Sequence, residues 1–180
     1  MNEVTQSEHG VFLSVFDNGL LIKGAAGVGK STLALELIER SHQFISDDVV
    51  DFMIEMDVDT KQLIGKSPHI LKDLLAVRDL GVLNISHVFS AETCLSQHPL
   101  DLIIELVDDE KILETTFTGR SSHATILGHT IPVQIIHAHP KRNLSIIVEI
   151  AVKNYILYKQ GQDASTLLEK RQQQGMQSIS

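Results

Sequence analysis

An α/β fold, a mixed sheet with flanking helices, is the class this sequence predicts, and three observations predict it. Apolar runs of strand length alternate with segments whose apolar residues recur at helical spacing. One such run, Leu20-Leu21-Ile22, leads directly into Gly24-Ala25-Ala26-Gly27-Val28-Gly29-Lys30-Ser31, and a helical pattern, Thr32-Leu33-Ala34-Leu35-Glu36-Leu37-Ile38, leaves it. The chain has 180 residues, 43% hydrophobic and 21% charged, which suits one domain with a proper core.

The elements follow in order. Val11–Phe16 reads as a strand, Asp17-Asn18-Gly19 as a hairpin-type turn, and Leu20–Lys23 as the returning strand. The helix after the glycine loop runs from Ser31 to Glu39 or Arg40, with Leu33 and Leu37, and Ala34 and Ile38, on the face toward a sheet. Phe44-Ile45-Ser46 is a short strand with Asp47-Asp48 at its end; Val49–Met56 is extended, and Asp57-Val58-Asp59 turns it into Gln62–Gly65. Pro68, with Ser67 as N-cap, is expected to open a helix carrying Ile70, Leu71, Leu74 and Leu75. Gly81–Ile85 and Leu100–Val107 are strands; Glu92–His98 is loop or a helical turn, and Thr115–His129 a polar loop. Ile131–His137 is a strand whose start or edge position Pro132 marks. Leu144–Lys159 is a helix capped by Asn143 or Ser145 and ended near Gly161, and 163–171 is a further short helix. The expected division is a main domain over 1–160 and a C-terminal helix with a tail over 161–180.

The chemistry concentrates at residues 24–31. G-x-x-x-x-G-K-S between a strand and a helix is the context in which a Walker A match becomes meaningful. Glycines let the backbone curl so that successive N–H groups converge on phosphate oxygens, and the following helix adds its unpaired N–H groups and positive end. The expected nucleotide-binding set is Gly24, Ala25, Ala26, Gly27, Val28, Gly29, Lys30, Ser31 and Thr32, with Lys30 reaching the β- and γ-phosphates and the Ser31 hydroxyl ligating Mg²⁺. Acids at the end of the next strand, Asp47-Asp48, would then lie near the phosphates, one able to hold Mg²⁺ and the other to accept a proton; solvated turn acids are the plain alternative. The nine histidines show no zinc-site spacing.

Composition narrows the partners. With 15 Lys and Arg against 23 Asp and Glu the formal charge is −8, against a general nucleic-acid binder and against anionic membrane surfaces. Cys94 is alone, so no intrachain disulfide forms, and the N-terminus Met1-Asn2-Glu3-Val4 lacks a signal pattern; the expectation is cytoplasmic.

A longer set of residues resembles one family. His9-Gly10-Val11, the 24–31 loop, Leu33–Leu37, Arg40-Ser41-His42-Gln43-Phe44-Ile45-Ser46-Asp47-Asp48-Val49, Leu63-Ile64-Gly65, Leu74–Ile85, Ile131-Pro132-Val133, Arg142-Asn143-Leu144 and Val148–Asn154 are similar, in order, to the kinase domain of HPr kinase/phosphorylase. The resemblance implies a P-loop kinase core related to phosphoenolpyruvate carboxykinase, assembled as a homo-oligomer, a hexamer in the family. It implies phosphoryl transfer from ATP or pyrophosphate, with Mg²⁺, to a serine of the phosphocarrier protein HPr or a related small protein, and phosphorolysis in reverse. Carried over by position, Asp47 is the base that takes the serine proton, His9 lies beside the acids, Ser31 and Asp48 serve Mg²⁺, Lys30 the phosphates, and Arg120 falls near the family's catalytic arginine. The loop His137–Arg142 matches one that shapes the active site and meets the neighbouring subunit or HPr.

This sequence departs from the pattern in three ways. It begins at the kinase domain; Thr32 stands where the family usually has Glu; and Ala76, before Val77-Arg78-Asp79-Leu80-Gly81, replaces an acid of the family signature. Two other readings therefore stay open: a small-molecule kinase on the same core, and a nucleotide-binding regulatory protein with weakened catalysis.

Overall fold

The structure is a computed structural model that describes residues 5–57, 60–108 and 121–177. Its strands are β1 (Thr5–His9), β2 (Val11–Val15), β3 (Asn18–Gly24), β4 (Gln43–Ser46), β5 (Val49–Asp57), β6 (Thr60–Lys66), β7 (Leu74–Val77), β8 (Gly81–Asn84), β9 (Gln97–Pro99), β10 (Leu102–Val107), β11 (Ser121–Ile126) and β12 (His129–His137). The helices are α1 (Lys30–Glu39), α2 (Ile85–Val88), α3 (Leu144–Lys159) and α4 (Ala164–Gln177). The strands form a six-stranded sheet in the order β11-β12-β10-β3-β2-β4, a four-stranded sheet β1-β5-β6-β9, and the hairpin β7-β8. In the large sheet β3, β10 and β12 are parallel and the other pairs antiparallel, so the expected mixed sheet with flanking helices is what forms.

The large sheet is covered on both faces, and its strands divide their apolar residues between two cores. Leu20 and Ile22 of β3, with Val11, Leu13 and Val15 of β2, pack beneath Leu33, Leu37 and Ile38 of α1 and Val148 and Val152 of α3. The alternate residues Leu21 and Phe12 face the other way, against Val50, Phe52 and Leu63 of the small sheet. That two-sided burial is why these strands read as unbroken apolar runs. At Gly65 of β6 a Cβ would come to 2.6 Å from the ring of Phe52, its neighbour on β5, and 2.7 Å from the ring of Phe12 across the two sheets. The two rings meet edge-on, with centroids 5.7 Å apart.

Several expectations need correcting. Residues after Pro68 make only one 3-10 turn, His69–Leu71, whose first carbonyl bond comes from Leu71 N–H, and Ser67 supplies no side-chain cap. Leu74 and Leu75 belong to β7: Asp73 sits at φ +61 and its carbonyl accepts the Ile85 N–H, which breaks any helix there. The turn between β2 and β3 is made by Phe16 and Asp17, at φ +51 and +58, rather than by Asp17–Gly19. Phe16 tolerates this because its ring packs edge-on against His42 at 4.7 Å, beneath the Lys153 ammonium. Residues 121–126, expected as loop, form edge strand β11; its polar composition is that of a solvent-facing edge, with Ile126 deeply buried at its end. Pro132 lies inside β12, just before pairing with β10 begins at Val133, so the missing N–H leaves no gap in that ladder.

Other readings match. Asn143 Oδ1 caps α3 by accepting the Ile146 N–H, and the helix ends with Gly161 at φ +79. The short helix expected at 163–171 runs on to Gln177. Among the described residues no helix is long and apolar enough to cross a membrane.

Candidate active site

The C-terminal ends of parallel strands β3 and β10 lie side by side, Gly24 opposite Leu106, and the glycine loop leaves at that edge. Ligands of open α/β sheets bind at such carboxyl ends. Gly24 has φ +145, and a Cβ there would sit 2.5 Å from the Leu106 carbonyl oxygen, so the loop can start its turn only without a side chain. Gly29 N-caps α1 at φ +102 with no side-chain cap and no acid in the first turn. The N–H groups of that turn are left to face an anion. Lys30 folds back over the loop, its Nζ donating to Gly24 O at 2.8 Å and Ala25 O at 2.9 Å. An ammonium held by neutral carbonyls can exchange them for phosphate oxygens with a change of rotamer.

Asp47 is buried beside this loop. Its Oδ1 accepts from Ser31 Oγ at 3.4 Å and its Oδ2 from the Ala76 N–H of β7 at 3.0 Å. Burial raises its pKa above the ordinary 3.8, more than the bonds from Ala76, Asp48 and Ser31 lower it. Asp48, next in sequence, is exposed and adopts φ +67. Its carbonyl accepts from Gly10 N at 3.1 Å and lies 3.2 Å from His9 Nδ1, while its carboxylate is 3.8 Å from the same nitrogen. The structure thus pairs Ser31 with Asp47 and His9 with Asp48. Arg120 lies outside the described residues.

From the loop a cavity of about 840 Å³ extends along α1, past Thr32, Leu33, Glu36 and Arg40, to the 138–145 segment on its other wall. That segment brings His139, Lys141 and Arg142 to the rim. The end of α1 is fixed by an ion-pair cluster: Arg40 donates to both oxygens of Glu149 at 2.7 and 2.6 Å, and His42 Nε2 lies 3.0 Å from Oε1. The Arg40 hydrogen bonds hold the Glu149 carboxyl down at about 2. Cys94, half-buried, has its thiol pushed up to about 12 by burial and the nearby Asp73, and has no reactive character.

Two parts of this arrangement carry no signal in a residue-by-residue reading. One is the Ala76 main-chain donor to Asp47. The other is Arg78, whose Nη2 would be 3.7 Å from a Cβ on Gly27. Strand alternation in Leu75-Ala76-Val77-Arg78, with Leu75 and Val77 buried and the other two exposed, was the available clue.

No group of three or more His, Cys, Asp or Glu side chains able to hold a metal converges among the described residues. Beside the loop the Ser31 hydroxyl and an Asp47 carboxylate oxygen lie 3.4 Å apart, oxygen donors of the kind Mg²⁺ accepts.

Known proteins resemble this chain over nearly all of its length. The family model described as HPr Serine kinase C-terminal domain matches residues 3–172. The chain belongs to that family. It is 41% identical over 176 residues to HPr kinase/phosphorylase of Neisseria meningitidis, covering 93% of this chain and 52% of that protein. To HPr kinase/phosphorylase of Caldicellulosiruptor bescii it is 34% identical over 171 residues, covering 94% of this chain and 54% of the relative. The chain spans about half the length of the curated relatives it matches. Among solved structures, the HPr(Ser) kinase/phosphatase from Coxiella burnetii superposes with a TM-score of 0.78 at 33% identity, over 91% of this chain and 98% of that one. The multi-strand sheets with flanking helices are thus the HPr kinase architecture.

Proposed function

We propose that this chain is an ATP-dependent serine kinase and phosphorylase acting on the phosphocarrier protein HPr or a related small protein. The observation that carries this reading is Asp47: a buried carboxylate of raised pKa, one hydrogen bond from the Ser31 hydroxyl of a Walker A loop. A base poised in this way has the protonation behaviour that attack by a serine hydroxyl needs.

The fold supports the rest of the assignment. The loop N–H groups and the Lys30 ammonium bind the β- and γ-phosphates and stabilise the charge that spreads over the transferred group. Ser31 and the Asp48 carboxylate, next in the chain to Asp47, would hold Mg²⁺, which when bound would neutralise phosphate charge. The acceptor serine oxygen forms a bond to the γ-phosphorus as the bond to the β-bridging oxygen breaks, and Asp47 takes the hydroxyl proton. In reverse, inorganic phosphate attacks phosphoserine, pyrophosphate forms, and Asp47 returns the proton to the serine oxygen. His9 Nδ1, 3.8 Å from the Asp48 carboxylate, would help to orient that acid. The loop at 138–145 provides a basic rim suited to a protein acceptor, and a homo-oligomer is favoured by the apolar residues Ile146, Ile150, Leu157 and Tyr158 exposed on α3.

One feature favours a second reading, a nucleotide-binding regulator with weakened catalysis. Ala76 brings no carboxylate to the site and meets Asp47 only through its N–H. Incubation with labelled ATP, Mg²⁺ and HPr separates the two. Phosphoserine on HPr supports the kinase; nucleotide binding without transfer supports the regulator.

A further inference from the structure

Lys30 has company on the phosphate loop. The short strand β7 presents two faces: Leu75 and Val77 enter the core, while Ala76 and Arg78 lie on the exposed side. The Ala76 N–H on this strand fixes Asp47 Oδ2 at 3.0 Å. Two residues on, Arg78 extends over the glycine loop, close enough that a Cβ on Gly27 would be 3.7 Å from Nη2. None of the ion pairs among the described residues involves Arg78. A guanidinium above a loop built to bind phosphate, with no carboxylate among the described residues claiming it, has a planar fork of donors matched to phosphate oxygens.

We propose that Arg78 is a phosphate-binding residue that grips the terminal phosphates of the donor, ATP or pyrophosphate, beside Lys30. The proposal rests on the reading of residues 24–31 as the nucleotide site. Its consequence is geometric. One four-residue strand holds the carboxylate that takes the proton and ends beside the cation that holds the phosphoryl group, so the two are set in register by the β7 backbone. The hairpin that follows, with Asp79 at φ +69 and Gly81 at φ +82, fixes the direction in which Arg78 leaves the strand.

The test compares wild type, Arg78→Ala, Arg78→Lys and Lys30→Ala by calorimetric titration with Mg·ATP, Mg·ADP, AMP and Mg·pyrophosphate. Arg78 is exposed, and matching thermal melts establish that the variants fold. Arg78→Ala is expected to weaken ATP and pyrophosphate by about 10- to 100-fold, the scale of a charge-assisted hydrogen bond or a bidentate pair. ADP weakens less, AMP is unchanged, and Arg78→Lys recovers part of the loss because it restores charge without the fork. Wild-type affinity for ATP and pyrophosphate in Arg78→Ala overturns the proposal. So does an equal loss for ATP, ADP and AMP, which would make Arg78 a support for the loop. Lys30→Ala distinguishes the levels: if it abolishes binding while Arg78→Ala does not, only Arg78 falls. If neither weakens ATP, the nucleotide reading falls with it.

Discussion

Replacing Asp47 with Asn removes a proton acceptor while keeping the shape of the site. The amide oxygen can still accept the Ala76 N–H that now bonds Oδ2 at 3.0 Å, and the amide N–H₂ can donate to Ser31 Oγ, reversing the 3.4 Å contact made by the acid. Nucleotide affinity should stay within a few-fold, because the proposed function gives the phosphate grip to Lys30 and the loop N–H groups. Phosphoryl transfer should fall by about a hundredfold or more, roughly 2.7 kcal/mol of barrier, and phosphorolysis should fall with it. Stability should move the other way. Burial raises the folded-state pKa of Asp47 above the ordinary 3.8, so the folded state binds more protons than the unfolded one between those two values. Stability from this group is therefore present below 3.8 and lost as pH rises through the folded-state pKa, and at neutral pH the ionised carboxylate is a liability. Asp47→Asn should melt at or above the wild-type temperature at pH 7 while being nearly inactive. Turnover in both directions, ATP affinity and thermal melts on one preparation make the assay. A melt lowered together with lost binding would make Asp47 a structural or metal-holding residue, and full turnover would place the base elsewhere.

Other perturbations test the remaining parts. Lys30→Ala should nearly abolish ATP binding and turnover, measured by calorimetry and a coupled assay, since its Nζ already sits over the loop at Gly24 and Ala25. Glu149→Gln should destabilise the fold by about 1–3 kcal/mol in denaturant melts, less than for a fully buried pair because Arg40 is partly solvated. The Glu149 carboxyl is depressed from 4.5 to about 2, so its contribution is present above 4.5 and lost as pH falls toward 2; the gap between variant and wild type should close across that window. Gly65→Ala should cost about 1–3 kcal/mol, because the added methyl would stand 2.6 and 2.7 Å from two packed phenylalanine rings.

Much of the site is legible in the sequence because it is local. The glycine loop, its strand and its helix are contiguous, and the structure forms them where the sequence predicts them. Asp47-Asp48 is legible as a pair at a strand end, but their division of labour is not. Asp48 takes φ +67 and turns toward His9, whereas Asp47 is buried against Ser31, a distinction made by tertiary packing. The segment after Pro68 misleads because Ile70, Leu71, Leu74 and Leu75 satisfy a helical spacing over too few residues to exclude a strand. Reading it as a helix also hides the alternation that puts Ala76 and Arg78 on one face. β11 is obscured by the polar residues that suit an edge. The Arg40–Glu149–His42 cluster joins positions more than a hundred residues apart, 109 between Arg40 and Glu149, and no local pattern announces it.

Serine phosphorylation of HPr can be read by mass-spectrometric mapping of HPr after incubation with this protein and Mg·ATP. A single phosphate on one serine is expected, at least about a hundredfold slower to appear with Asp47→Asn, and removed on adding inorganic phosphate with release of pyrophosphate. Unmodified HPr, under conditions where the protein demonstrably binds ATP, would contradict it.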